Sequence, residues 1–133
     1  MGYRISVHTR TANGNGSREL YQNALGTATN LWHYWLRPAG DLGLTFLREH
    51  FDDGMEVSGH DLDRLASELD RLEHHWLVAR VGASEYVHYT TTHDDGSREE
   101  GDIPMHDHLR ERLSFLREAI RIARESDGLL TIS

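Results

Sequence analysis

The sequence predicts an α+β fold in a single domain over residues 1–133, and three observations carry that prediction. The opening residues alternate apolar and polar side chains, the period of a half-buried strand. Two long stretches, 62–76 and 105–123, repeat apolar residues at steps of three and four, the period of one helix face. A glycine closes the second stretch just before the short tail GLLTIS. With 133 residues, 38% of them apolar and 27% charged, the chain is long enough to bury its own core and too apolar to stay unfolded.

In chain order, Tyr3, Ile5 and Val7 alternate with Arg4, Ser6 and His8 and predict a strand over 3–9. The segment 11–17 (TANGNGS) is rich in residues that tolerate positive φ and predicts a turn. It does not match a phosphate cradle, because the dinucleotide pattern needs a third glycine where Glu19 stands. Over 19–36, Tyr21, Leu25, Ala28, Trp32 and Trp35 fall on helical spacing, so a helix is preferred. Gly26, Thr27 and Thr29 weaken it, and LWHYWL over 31–36 would also suit a buried strand, which leaves 27–36 open. Trp32, Tyr34 and Trp35 are read as core rather than as a stacking platform. Arg37-Pro38-Ala39-Gly40 is expected to end the segment. Leu44, Leu47 and Phe51 suggest a short helix closed by Asp52-Asp53-Gly54.

The next helix has a full set of local signals. Ser58 and Asp61 match a capping pattern, with Val57 and Leu62 as its hydrophobic staple. Leu62, Leu65, Leu69, Leu72 and Trp76 then form a narrow stripe suited to packing on another helix. Residues 77–82 fit helix or strand equally. EYVHYTTT over 85–92 is β-branched and aromatic and predicts a strand. HDDGSREEGD over 93–102 is polar throughout and predicts a surface loop.

The last helix is expected over 104–126, with Pro104 in its first turn, Arg121 and Arg124 in its last, and Gly128 as its left-handed stop. Met105, Leu109, Leu113, Leu116, Ile120 and Ala123 line one face. Phe115, Ala119 and Ile122 widen that face in the second half, so the first half is expected to be the more solvent-facing. Strands 3–9, 85–92 and 129–132 would form a small three-stranded antiparallel or mixed sheet. The two long helices would cover one face of it, with one or two shorter helices beside them.

Composition narrows the functional classes. There is no cysteine, which excludes disulfides, thiolate chemistry and zinc-finger sites. All 14 positive side chains are arginine, and the net charge of −8 argues against a nucleic-acid binder. No stretch approaches the roughly 20 apolar residues of a membrane span, and the start lacks a secretion signal, so a cytoplasmic protein is expected. Residues 83–103 carry six acids (Glu85, Asp94, Asp95, Glu99, Glu100 and Asp102) against Arg98 alone. Five of the eight net negative charges therefore fall within 21 residues.

Ten histidines invite a metal reading, and spacing tests it. His106 and His108 stand two apart and His74 and His75 are adjacent, so neither pair shares a helix face. His60 and Asp63 have the right spacing on an otherwise ordinary helix. A looser set remains in His88, His93, Asp94, His106 and His108, suited to a hard or imidazole-bound divalent ion. The calcium-hand pattern is missed by Asp94, Asp95 and Gly96. No nucleophile elbow or paired-carboxylate pocket supports an enzyme.

The expected function is therefore a non-catalytic protein-binding module of inhibitor, immunity or adaptor type, with no cofactor. It would meet a basic partner surface through Asp94, Asp95, Glu99, Glu100, Asp102 and Asp107. The alternative is a metal-assisted enzyme or metal sensor built from residues 88–108. The helix stripes also leave a homodimer open.

Overall fold

The period of two in the first residues sets the main sheet. In this computed structural model, which describes residues 2–9, 18–50 and 55–133, strand β1 (Gly2–His8) buries Ile5 and Val7 on one face. It pairs antiparallel with β2 (Glu19–Thr27) on one side and with β6 (Leu129–Ile132) on the other. Strand β3 (Met55–Val57) pairs antiparallel with β6, which gives a four-stranded sheet in the order β2-β1-β6-β3. The alternate face carries Arg4, Ser6, Gln22, Glu56 and Thr131, the polar side of a sheet packed on one face only. The fold is α+β as predicted, but the sheet has four strands rather than three, and 85–92 is not among them.

The helix preferred over 19–36 is a strand as far as Thr27. Tyr21 and Leu25 share a face at a spacing of four in either conformation, so helical spacing alone was ambiguous here. Pairing with β1 decides it, and a bulge accommodates Leu25, because Tyr3 pairs with Gly26 and Arg4 with Ala24. The chain then turns helical over 28–41 as α1, capped by the Thr27 hydroxyl, which accepts from the Asn30 N–H at 3.2 Å.

The middle of α1, Leu31–Leu36, is a π-helix and not a strand. A π-turn carries more residues than an α-turn, so consecutive side chains span a narrower arc. That suits Tyr34, Trp35 and Leu36, three adjacent bulky residues that are all buried. Trp32 is the exception to the core reading of this segment; its indole is about half exposed, with the Arg48 guanidinium 5.1 Å from the ring centre. Arg37-Pro38-Ala39-Gly40 does not end the helix. Pro38 lies inside the continuous helix, at the start of its α-helical part Arg37–Asp41, and the helix runs on through it.

Helix α2 (Thr45–His50) begins against a side chain from elsewhere. Glu68 accepts from the backbone N–H groups of Phe46 at 3.1 Å and Leu47 at 2.9 Å, satisfying donors that a helix start leaves orphaned. The turn expected over 11–17 and the stop at Asp52-Asp53-Gly54 lie outside the described residues.

Helix α3 (His60–Val78) buries Leu62, Leu65, Leu69, Leu72 and Trp76, the stripe read from the sequence. Its predicted cap is not formed: the residue before the helix is Gly59, at φ +59°, and Ser58 contributes only its carbonyl, to Asp61 N–H. The open stretch 77–82 holds the last helical residues and a turn. Helix α4 (Met105–Ser126) lies on β1, β2 and β6 and buries its whole predicted stripe. Met105 and Leu109 are as inaccessible as Leu116 and Ile120, so the first half is not the more solvent-facing on its inner side.

Helices α3 and α4 run antiparallel. Arg124 reaches Asp63 at 2.6 Å, and Arg117 reaches Asp70 at 2.8 Å and Glu73 at 3.0 Å. Trp76 ties α3 to the π-turn: its indole N–H donates to the Tyr34 carbonyl at 2.9 Å, and its ring meets Trp35 edge-on at 4.9 Å. The buried side chains form one contiguous core.

Both long helices end the same way. The last N–H of each closing turn reaches five residues back, Val81 to Trp76 and Gly128 to Ala123, around one left-handed residue. Those residues are Arg80 at φ 52° and Asp127 at φ 50°, not glycines. Gly128, expected to be the left-handed stop, serves close packing instead. A Cβ there would lie 2.7 Å from the His8 carbonyl oxygen of β1.

Strands β4 (Tyr86–Thr92) and β5 (Arg98–Pro104) form a separate antiparallel two-stranded ribbon. The loop expected over 93–102 is thus confined to 93–97, and Pro104 is the residue before α4 rather than within its first turn. REEGDIP has poor β propensity, which is why composition alone read as loop.

Candidate functional site

The ribbon distributes the predicted acidic residues over two faces and a tip. Cross-strand register puts Tyr86, His88, Thr90 and Thr92 with Pro104, Asp102, Glu100 and Arg98 on one face. The other carries Val87, Tyr89 and Thr91 opposite Ile103, Gly101 and Glu99. Val87 packs against the main core and anchors the ribbon at its base. From Thr90 to Glu100 every side chain is exposed.

Glu100 and Asp102 therefore share a face, whereas Glu99 looks the other way. Asp94 and Asp95 occupy the tip. Asp107 is off the ribbon, in the first turn of α4, where negative charge favours the helix dipole. Asp95 shapes the tip by accepting from the Ser97 N–H at 2.9 Å and the Ser97 hydroxyl at 2.5 Å. Those bonds to the ionised form hold its carboxyl below the usual range. Asp102 meets His88 Nδ1 at 3.0 Å, Glu99 meets His93 Nε2 at 3.3 Å, and Glu100 lies 3.8 Å from Arg98. All are exposed pairs of the kind worth little to stability, and easily exchanged for another partner.

The candidate metal ligands are dispersed. His88 and His93 face opposite sides of the ribbon, Asp94 is at the tip, and His106 Nδ1 donates to the Val81 carbonyl at 3.1 Å. His108 is partly buried on α4, and burial, aided by the nearby Arg112, pushes its imidazole below the ordinary value. Among the described residues no group of three or more His, Asp or Glu side chains could hold a metal ion. No helix among them is long and apolar enough to cross a membrane.

A second feature lies at the root of the ribbon, and no sequence motif announced it. A cleft of about 390 Å³ opens between α1, the end of α3 and the turn 80–85 that leads into β4. Helix α1 supplies His33, Tyr34, Arg37 and Asp41, α3 supplies His75, and the turn supplies Arg80, Ser84 and Glu85. Gly82 shapes its floor. It has φ +75°, and a Cβ there would come within 2.9 Å of the His106 backbone nitrogen. The turn also receives the first N–H groups of α4, Met105 to the Glu85 carbonyl at 2.7 Å and His106 to the Gly82 carbonyl at 3.2 Å.

Tyr34 donates its hydroxyl to the Glu85 carboxylate across this cleft. Burial, then the Glu85 bond and charge, push the phenol up to about 12, so it stays a neutral donor at physiological pH. Several arginines elsewhere are occupied: Arg110, Arg117, Arg121 and Arg124 hold carboxylates, and Arg71 and Arg112 donate to carbonyls. Among the described residues the guanidinium groups of Arg37 and Arg80, like those of Arg18, Arg48 and Arg64, hold neither. The only local hint in the sequence was Arg80 itself, just past the stripe of α3, where a glycine would end the helix more easily. No family model matches this chain, and no curated protein or solved structure shows significant similarity to it.

Proposed function

We propose that this chain is a non-catalytic protein-binding module, of inhibitor, immunity or adaptor type, that presents ribbon β4–β5 and the adjoining start of α4 to a basic partner surface. One observation carries the reading: an acidic ribbon stands outside the main sheet and commits almost nothing beyond Val87 and its neighbours to the core. Five acids against Arg98 at such a site would steer a basic partner and disfavour an acidic one. Exposed pairs such as His88–Asp102 can be given up on docking at small cost.

The test is affinity capture with cross-linking, comparing the native chain with one carrying Asp94→Arg, Asp95→Arg, Glu99→Arg and Glu100→Arg. A partner with a basic face, retained by the native chain and released as salt is raised, is the expected result. Equal retention by the reversed chain would remove the ribbon from the reading.

A further inference from the structure

The cleft at the root of the ribbon gathers charged and polar side chains from three segments. Arg80 is one of them, and it closes α3 in a left-handed backbone, as Asp127 closes α4, where a glycine would be the easier residue. The π-turn of α1, a feature common at functional sites, supplies the opposite wall through His33 and Tyr34. Arg37 and Arg80 line the same concavity without a carboxylate partner among the described residues, in a chain whose 22 acids outnumber its 14 arginines. Two carboxylates line the cleft as well, Asp41, which forms no ion pair with either arginine, and Glu85, which accepts the Tyr34 hydroxyl. His33, His75 and the Ser84 hydroxyl add donors around the two arginines.

The geometry points to a binding site for a small molecule bearing an oxyanion, held by the forked guanidinium groups of Arg37 and Arg80 with Ser84 and the imidazoles as further donors. Guanidinium forks match phosphate and carboxylate oxygens in geometry as well as charge. The cleft, at about 390 Å³, lies at the small end of the range that ligand sites occupy. The site is separate from the acidic ribbon, so it can fail while the protein-binding reading stands, and the reverse.

Two oxyanion sources share this chemistry, phosphate and paired carboxylates, and the experiment treats them as separate arms. The ¹⁵N-labelled chain is titrated at constant ionic strength with inorganic phosphate, and in parallel with malonate. Saturable amide shifts in 80–85 and 33–37 are expected in at least one arm, and the stronger arm identifies the source. Arg80→Asn keeps a residue that tolerates the left-handed backbone and removes the fork. It and Arg37→Gln should each weaken binding about tenfold, with thermal unfolding unchanged or, for Arg80→Asn, raised. Arg80→Gly separates the roles further: it should fold at least as well as the native chain and still bind poorly. The inference is overturned if neither arm saturates in the millimolar range, if sodium chloride reproduces the shifts, or if the double variant Arg37→Gln, Arg80→Asn binds as the native chain does.

Discussion

At the scale of residues, single side chains connect elements that the sequence keeps far apart. Glu68 is the clearest case, because its carboxylate closes the start of α2 from a position on α3. Replacing it with alanine leaves two helix-start N–H groups without their acceptor and should cost about 1–2 kcal/mol. Glu68→Gln should recover part of that loss; chemical denaturation of the three proteins measures both. Tyr34 gives a pH test. Its phenol rises from an ordinary value of 10.0 to about 12 in the folded chain, so folding favours the neutral form. The contribution is fully present below pH 10 and is lost as pH rises through about 12. Stability measured across that window should fall, and Tyr34→Phe should flatten the fall. An equal slope in the variant would assign the alkaline loss to other groups.

At the scale of elements, legibility followed the strength of the period. Helices α3 and α4 were readable because five and six apolar residues in turn repeated on one face, and all of those residues are buried. β2 was misread because Tyr21 and Leu25 satisfy helix and strand alike, and only pairing with β1 separates the two. β5 was invisible because Glu99, Glu100, Gly101 and Asp102 are poor strand formers, and their pairing partner lies across a turn. Helix ends were the least legible feature. Gly128 was read as the left-handed residue, whereas Asp127 takes that conformation and Gly128 lets the helix end press against β1. Gly128→Ala must therefore push on the His8 carbonyl and should destabilise the chain by roughly 1–3 kcal/mol. Thermal unfolding checks it, and a neutral result would mean that β1 and α4 are not held this close.

At the scale of the whole molecule, charge and fold divide the chain between them. Outside 83–103 there are 16 acids and 13 arginines, from 22 − 6 and 14 − 1, so the body of the protein is close to balanced. Ion pairs such as Arg124–Asp63 and Arg117–Asp70 run between its helices. The excess negative charge sits on a ribbon that is joined to the core chiefly at its base, where like-charge repulsion disturbs little packing. That asymmetry was plain in the sequence. The cleft was not, because His33, Arg37, His75, Arg80 and Glu85 come from three separate segments with no shared spacing, and only the fold brings them around one space.

Whether the ribbon serves recognition rather than folding is decided by measuring stability and capture together on one sample of the chain carrying arginine at 94, 95, 99 and 100. The thermal midpoint should stay within a few degrees of the native chain while the basic partner is lost. Retained capture, or a large fall in the midpoint accompanying its loss, would contradict a recognition role.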